Sequence, residues 1–297
     1  MSEHKLAYNQ KTAKAWRWEP SWFGAVAFDD DLLLKVVAFQ KANGLEADGL
    51  VGSGTFRRIS TEREARISNW VPYLPATDIG GDYIIYNRNF FPIEWDNVII
   101  WDEATGHKLP AGCYTDMSQT PTPRKITMGV THWDVCLSSS SCFQVLSQRG
   151  VSVHFGIDND GTIHQWLDMD HVGWHASDRD TNNLSVGVEI SNAYYPKYQP
   201  WYEEHGFGLR PIVKGAQVHG GTLKPFLGFY PVQLEALSAL WHAVANACNI
   251  PLQTPSAETV VPEVAEGIYE GFVHHYHVTR KKIDCAGLDL AEVLHGY

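Results

Sequence analysis

The sequence has few cysteines and comparatively few cations. Its 297 residues include five cysteines, an odd number that argues against the disulfide framework of small secreted domains. Lysine and arginine total 23 against 34 acidic residues, which gives a net charge of -11. Because affinity for nucleic acids comes mainly from cations that neutralise phosphates, we expect no nucleic-acid partner.

Long apolar runs are also missing. No segment approaches the roughly 20 apolar residues of a membrane-spanning helix, and no basic amphipathic segment indicates a membrane surface. The first ten residues, Met1 to Gln10, are polar and lack the apolar stretch of a signal peptide. We therefore expect a monomer that is made in the cytoplasm without a signal peptide and has no membrane partner.

Hydrophobic residues make up 44% of the chain, enough for a large core in one large domain or two ordinary ones. Patterning divides the chain into a small all-α bundle (1–62), a β-rich connector (63–125) and a mixed α/β domain (126–297) with a sheet flanked by helices. Apolar residues at helical spacing predict a helix in the bundle: Leu32, Leu33, Val36, Val37 and Phe39.

The end of this helix and the loop after it carry a recognisable pattern. Phe39-Gln40 is followed by Asp48-Gly49, Gly52 and Thr55. This pattern resembles the signature of the bacterial peptidoglycan-binding domain, and the resemblance covers about thirty residues. The alternative is a helical bundle that only packs against its neighbour.

Two apolar strands of the third segment end in residues that can do chemistry. Residues 126–131 are β-prone and lead into His132, whereas residues 184–190 form a buried strand that carries Glu189. Between them, residues 151–167 alternate and break at an Asp-Asn-Asp-Gly turn, which predicts a hairpin. A carboxylate near the end of so apolar a strand needs a partner.

The stretch from His274 to Leu290 concentrates three histidines, a cysteine, a carboxylate and three cations in its first dozen residues. Catalytic zinc sites use three protein ligands and leave the fourth position to water. One histidine of this stretch and Cys285 would supply two ligands, and His132 the third. The spacing alone does not choose among His274, His275 and His277.

This set fits metal-assisted hydrolysis of an amide. Glu189 would act as general base, and a lysine from Lys281 and Lys282 would stabilise the oxyanion of the tetrahedral intermediate. Taken singly, His132 and Glu189 each have a structural explanation, as a buried histidine or as a partner in an ion pair.

The second half of the chain, about 126–295, resembles the zinc-dependent N-acetylmuramoyl-L-alanine amidases, which include phage lysozyme-amidases, cell-wall recycling amidases and peptidoglycan recognition proteins. The resemblance is carried by five motifs in the family's order: Thr131-His132, Val153 to Asp158 with Asp160 to Thr162, Gly173 to Ala176, Asn183 to Glu189, and His275 to Gly287.

The resemblance implies that His132, His275 and Cys285 hold Zn²⁺. Cys285-Ala286-Gly287 is similar to the family's Cys-Pro-Gly ending, and we expect Cys285 to be the third ligand because thiolate is the softer donor. The alternative is Asp284, because Lys282-Ile283-Asp284 is similar to the Lys-x-Asp ending of the recycling branch.

The resemblance also assigns catalytic roles to Glu189 and Lys282, and it places Trp174 and His175 in the substrate cleft. The chain departs from the phage amidases at Val153, where those enzymes carry a catalytic tyrosine, so that role would fall to Glu189.

These implications predict a peptidoglycan hydrolase that cuts between N-acetylmuramic acid and L-alanine. The bundle would tether it to the wall after its release or delivery, as a phage endolysin or a secreted effector. The alternatives are a receptor of the same fold that binds without cutting, and a zinc peptidase or esterase with another substrate.

The spacing of Cys136 and Cys142 is similar to that of a disulfide in the animal branch, and two reduced thiols are the alternative.

Overall fold

The computed structural model describes residues 2–66, 82–103 and 105–296. Part of the segment predicted as a connector, residues 67–81, lies outside the described residues. Within them no helix is both long and apolar enough to cross a membrane. The helices are α1 (Ser2–Trp16), α2 (Asp30–Ala42), α3 (Ser53–Glu64), α4 (Ser139–Arg149), α5 (Arg179–Leu184), α6 (Gln199–Glu204), α7 (Pro231–Cys248), α8 (Pro262–Ala265), α9 (His275–Val278) and α10 (Leu290–His295).

The strands in the described residues are mostly short. They are β1 (Tyr83–Tyr86), β2 (Asn89–Pro92), β3 (Val98–Ile100), β4 (Tyr114–Thr115), β5 (Met128–Trp133), β6 (Phe155–Ile157), β7 (Ile163–Gln165), β8 (Val172–Gly173), β9 (Ser185–Ile190), β10 (Ile212–Val213), β11 (Gln217–Val218), β12 (Gly221–Thr222), β13 (Phe226–Leu227) and β14 (Gly271–His274).

A six-stranded mixed sheet forms the centre of the second half, in the order β14-β5-β9-β6-β7-β3. The neighbouring strands are parallel except β6 and β7, which form the predicted hairpin. All residues of β5 and β9 are buried, as expected for central parallel strands covered on both faces. The predicted mixed α/β fold is confirmed.

Helix α7 covers one face of this sheet. Its apolar stripe, at helical spacings of three and four, includes Leu237, Trp241 and Val244, each 0% exposed, so the stripe lies in the core. Trp241 also donates from Nε1 to Thr131 Oγ1 over 3.3 Å. Burial of each large side chain contributes about 1.5–3 kcal/mol, which fixes the helix on the strands that carry the site.

The segment predicted as a connector is tied to the sheet. Strand β3 pairs in parallel with β7, and all three of its residues are buried. Residues 98–100 therefore form an edge strand of the central sheet, although the sequence pattern assigned them to a separate segment.

The N-terminal helices pack around the side chain of Gln40, which is 1% exposed. Its Nε2 donates to Asp48 Oδ1 over 2.9 Å and to Thr55 Oγ1 over 3.1 Å, and its Oε1 accepts from the Gly49 amide over 2.9 Å. Gly49 has φ +78°, and a Cβ there would lie 3.3 Å from Val37 Cγ2. The signature residues of the predicted peptidoglycan-binding pattern thus hold the bundle together from inside.

The bundle and the α/β domain share one hydrophobic cluster. Phe56 and Val36 of the bundle belong to the same cluster as Val145 and Leu146 of α4. Polar contacts join the same two parts: Thr61 Oγ1 donates to the Val135 carbonyl over 2.9 Å. Burial of a continuous apolar cluster holds α3 firmly against α4.

Candidate active site

Parallel strands bring the candidate ligands to one edge of the sheet. His132 is the fifth residue of β5, and His275 follows the last residue of β14. Since β14 runs parallel to β5, with His274 opposite Thr131, the two imidazoles meet at the carboxyl ends of the strands. The loop after α9 then brings the Asp284 carboxylate next to these two imidazoles.

Three donor atoms form a nearly equilateral triangle. His132 Nδ1 lies 2.9 Å from His275 Nδ1 and 3.1 Å from Asp284 Oδ2, and His275 Nδ1 lies 3.0 Å from the same oxygen. All three residues are buried. The three contacts are not explained by hydrogen bonds alone, because each neutral imidazole has one proton and the carboxylate has none.

The donor set fits a zinc ion. In a tetrahedron with bonds of about 2.0–2.1 Å the ligand atoms lie about 3.3 Å apart, close to the spacing of this triangle. Burial, followed by the neighbouring His275, lowers the pKa of His132 to about 4, so its ring is neutral and offers a lone pair. Burial opposes ionisation of Asp284, but His275 and His132 outweigh it and lower the pKa of this carboxyl well below its usual range.

The remaining ring nitrogens of the two histidines have their own partners. His132 Nε2 lies 3.1 Å from His175 Nδ1, and His275 Nε2 lies 3.2 Å from Ser177 Oγ. Such contacts fix the tautomer and orientation of a ligating imidazole. His175, predicted to bind substrate, therefore also supports His132.

Cys285 is not part of this triangle. Its side chain is 0% exposed and packs in the main hydrophobic cluster. Burial raises the pKa of its thiol well above the usual value, which disfavours the thiolate that a metal binds. The structure therefore places Asp284, the alternative third ligand, beside the two histidines.

The other two histidines of the cluster have different contacts: the His274 ring stacks on that of Tyr276, with ring centroids 5.0 Å apart. His277 Nε2 contacts the Ala257 carbonyl at 2.7 Å, and His277 Nδ1 accepts from the His274 amide over 3.2 Å. His275 is thus the residue of this run that joins His132, a choice that the spacing left open.

Glu189 lies next to His132 across the β5/β9 ladder, where the two residues are paired. Its side chain is 7% exposed and lies 3.6 Å from a guanidinium nitrogen of Arg57. Burial raises the pKa of Glu189 to about 7, although Arg57 and Lys282 lower it. A carboxyl that titrates near neutrality suits proton transfer.

A cleft of about 510 Å³ connects these residues. Its lining includes every predicted site residue except Cys285: His132, Trp174, His175, Glu189, His275, Lys282 and, as the alternative ligand, Asp284. Trp174 is 36% exposed, and its Nε1 donates to Thr115 Oγ1 over 3.1 Å, which holds the ring at the rim.

Three further residues of the cleft are arginines that were not predicted from the sequence: Arg57, Arg58 and Arg149. With Lys282 they make four cations against two carboxylates in the lining, although the chain as a whole is acidic. A cation on a solvated helix is too common to be noticed in a sequence, so no local pattern marked them.

Cys136 and Cys142 are free thiols, and both are buried. With Asp134 they form a second group of potential metal donors. Asp134 is already engaged, because Oδ1 accepts the amides of Cys136 and Asn192 over 2.9 Å and Oδ2 accepts Ser191 Oγ over 3.1 Å. Of the two alternatives, a disulfide or two reduced thiols, the described structure has two reduced thiols.

Residues 121–286 match the N-acetylmuramoyl-L-alanine amidase family, and this match covers more than half of the chain. The chain belongs to this family. No curated protein matches it. Among solved structures it is similar to the selenomethionine derivative of AmpD, with 16% identity and a TM-score of 0.35 over 65% of this chain and 94% of that one.

Two further solved amidases also match part of the chain. The endolysin LysCS from Clostridium intestinale is 16% identical, with a TM-score of 0.36 over 62% of this chain and 84% of that one. AmiD from E. coli, solved with anhydro-N-acetylmuramic acid-L-Ala-D-gamma-Glu-L-Lys, is 20% identical, with a TM-score of 0.31 over 44% of this chain and 48% of that one.

Proposed function

We propose that this family member is a zinc-dependent N-acetylmuramoyl-L-alanine amidase that cleaves the amide between N-acetylmuramic acid and L-alanine in peptidoglycan. The observation that carries the proposal is the triangle of His132, His275 and Asp284 beside the buried Glu189 in one cleft. We assign Asp284, rather than Cys285, as the third ligand.

When bound by these residues, zinc would supply Lewis-acid chemistry, which polarises a carbonyl and makes water more acidic. Glu189 would accept the proton of the attacking water and return it to the leaving nitrogen. Lys282, in the cleft lining, would stabilise the negative oxygen of the tetrahedral intermediate.

The charge of the cleft supports a peptidoglycan substrate. Stem peptides carry carboxylates, and the four cations of the lining outnumber its two carboxylates. Trp174 at the rim offers an aromatic face on which a sugar or peptide group can stack. A monomer that acts on the wall remains our expectation.

Clearing of a cell-wall suspension tests the function. The wild type should reduce turbidity, lose this activity when a chelator removes the metal, and regain it with zinc. Mass spectrometry should find stem peptides with free L-alanine amino termini, because amide cleavage at this bond leaves the peptide intact.

Glu189→Gln provides the matched control for the base. It should still pellet with the wall and retain zinc, but its turnover should fall at least about 100-fold, the typical contribution of a general base. Pelleting without any clearing by the zinc-loaded wild type would contradict the proposal and favour the receptor. Products with other termini would favour a zinc hydrolase of a different substrate.

A further inference from the structure

We propose that Arg57, which the N-terminal bundle contributes to the cleft, is a positioning residue for Glu189, so that the bundle is an integral wall of the active site. This inference rests on the proposed function of Glu189 as general base. It assigns the bundle a role in turnover, beyond the wall tether expected from its sequence.

The contact itself is an ion pair that is largely shielded from water. A guanidinium nitrogen of Arg57 lies 3.6 Å from Glu189 Oε1, and the two side chains are 17% and 7% exposed. Ion pairs held away from solvent are screened less than surface pairs. The pair therefore restrains the carboxylate more than an exposed pair would.

The two oxygens of Glu189 are used differently. Oε1 faces Arg57, whereas Oε2 is buried and has no hydrogen-bond partner among the described residues. A buried carboxylate oxygen without a partner is costly in a folded protein unless a water or a ligand uses it. Arg57 would thus hold one oxygen and leave the other available to the attacking water.

The backbone of α3 is fixed well enough to place Arg57. Arg58, the next residue, stacks over Tyr195 at 3.5 Å from the ring centroid. The carboxylate of Glu62 accepts from Tyr198 Oη over 3.0 Å and also pairs with Lys197. Together with the Thr61 contact and the shared hydrophobic cluster, these interactions dock α3 on the α/β domain.

Other charges also face Glu189. Lys282 and Arg149 are cations near its carboxyl group, and Asp284 is an anion. Arg57 differs from them because it alone forms an ion pair with Glu189 within the described residues. It also comes from the part of the chain outside the family match, which begins at residue 121.

Turnover of a soluble substrate separates this role from tethering. N-acetylmuramoyl-L-Ala-D-Glu-L-Lys needs no wall anchor, so a mere tether would leave its cleavage unchanged. For Arg57→Gln we expect kcat to fall about 10–100-fold, as for misplacement of a catalytic group, with KM within about 3-fold of the wild type. Zinc content should be unchanged.

Three further variants complete the test. Arg57→Lys keeps the charge and should recover part of the lost kcat. Arg57→Met, similar in length, replaces the Gln variant if that variant fails to fold. Arg63→Gln is the matched control, because Arg63 lies on the same helix, stacks on Trp22 at 3.8 Å and does not line the cleft; it should behave as the wild type.

The outcomes are distinct. A lower kcat in the Gln or Met variant, with recovery in the Lys variant, supports the proposal. A wild-type kcat in the Gln or Met variant, or an effect confined to KM, overturns it. If the zinc-loaded wild type fails to cleave the soluble substrate, the proposed function itself fails, whereas an active wild type with an equally active Arg57→Gln refutes only the role of Arg57.

Discussion

Asp284 and Cys285 are neighbours in the chain, and replacing each one separately tests which of them binds the metal. Asp284→Asn removes the charge of a carboxylate whose Oδ2 lies 3.1 Å and 3.0 Å from the two imidazole nitrogens. Because loss of a residue that only supports a ligand costs about 10–100-fold in metal affinity, loss of a direct ligand should cost more than about 100-fold, or more than about 2.7 kcal/mol.

Cys285→Ala should have a different effect. The Cys285 side chain is 0% exposed within the main core, so removal of its sulfur leaves a small cavity. The transfer and cavity terms together amount to about 1–2 kcal/mol of unfolding free energy. Zinc affinity should stay within about 3-fold of the wild type, because no donor atom is lost.

Competition with a chromophoric chelator measures the affinity, and denaturant unfolding of the metal-free proteins measures the stability. We expect Asp284→Asn to lose zinc while Cys285→Ala binds it normally and unfolds at lower denaturant concentration. Stoichiometric, tight zinc in Asp284→Asn together with loss of zinc in Cys285→Ala would refute our assignment and restore the cysteine.

Two further predictions concern Glu64 and Trp174. Burial raises the pKa of the Glu64 carboxyl to about 7, against hydrogen bonds from Ser141 and Ser138 that lower it. The folded state therefore binds this proton more tightly than the unfolded chain, and stability should fall as the pH rises from about 4.5 to about 7. Glu64→Gln should exceed the wild type in unfolding free energy by about 3 kcal/mol near pH 8, because each pKa unit of the shift corresponds to about 1.4 kcal/mol, and equal it near pH 4; equal stability at both pH values would contradict this. Trp174→Ala removes the half-exposed ring held by Thr115, so KM for soluble muropeptide should rise about 5–10-fold with little change in kcat, and a fall in kcat alone would count against a substrate contact.

The sequence was sufficient for those parts of the site that depend on strand periodicity. His132 and Glu189 each lie near the end of an apolar strand, and parallel pairing of two such strands must bring those ends together. The mixed sheet and the hairpin follow from the apolar strand segments and the turn between two of them, whereas the α7 stripe follows from apolar residues at helical spacings of three and four.

The residue that we propose as the third ligand, Asp284, could not be predicted in this way. Asp284 and Cys285 are adjacent, and the direction of the backbone decides which side chain faces the histidines. The softness of sulfur as a donor favoured Cys285. In the structure, however, the Cys285 side chain lies in the core and the Asp284 carboxylate lies beside the two histidines. The preference of an ion for a donor operates only on donors that the fold presents to it.

The role that we propose for Arg57 could not be predicted from the sequence, for a related reason. It lies on α3, 132 positions before Glu189, and nothing in its own helix distinguishes it from Arg63. Its importance arises only when α3 docks against α4, an arrangement that depends on apolar contacts from several helices. Side chains that meet through docking have no period in the sequence.

The pattern that resembles a peptidoglycan-binding domain shows what a resemblance of this kind can establish. Gln40 is buried, and the Asp48, Gly49 and Thr55 contacts it makes lie inside the bundle. Residues that hold a bundle together identify its fold, whereas a binding function must be argued from residues that face a ligand. In this chain Arg57 is one of the bundle residues that line the cleft, and its guanidinium group faces the carboxylate of Glu189. The bundle can therefore serve turnover whether or not it also holds the wall.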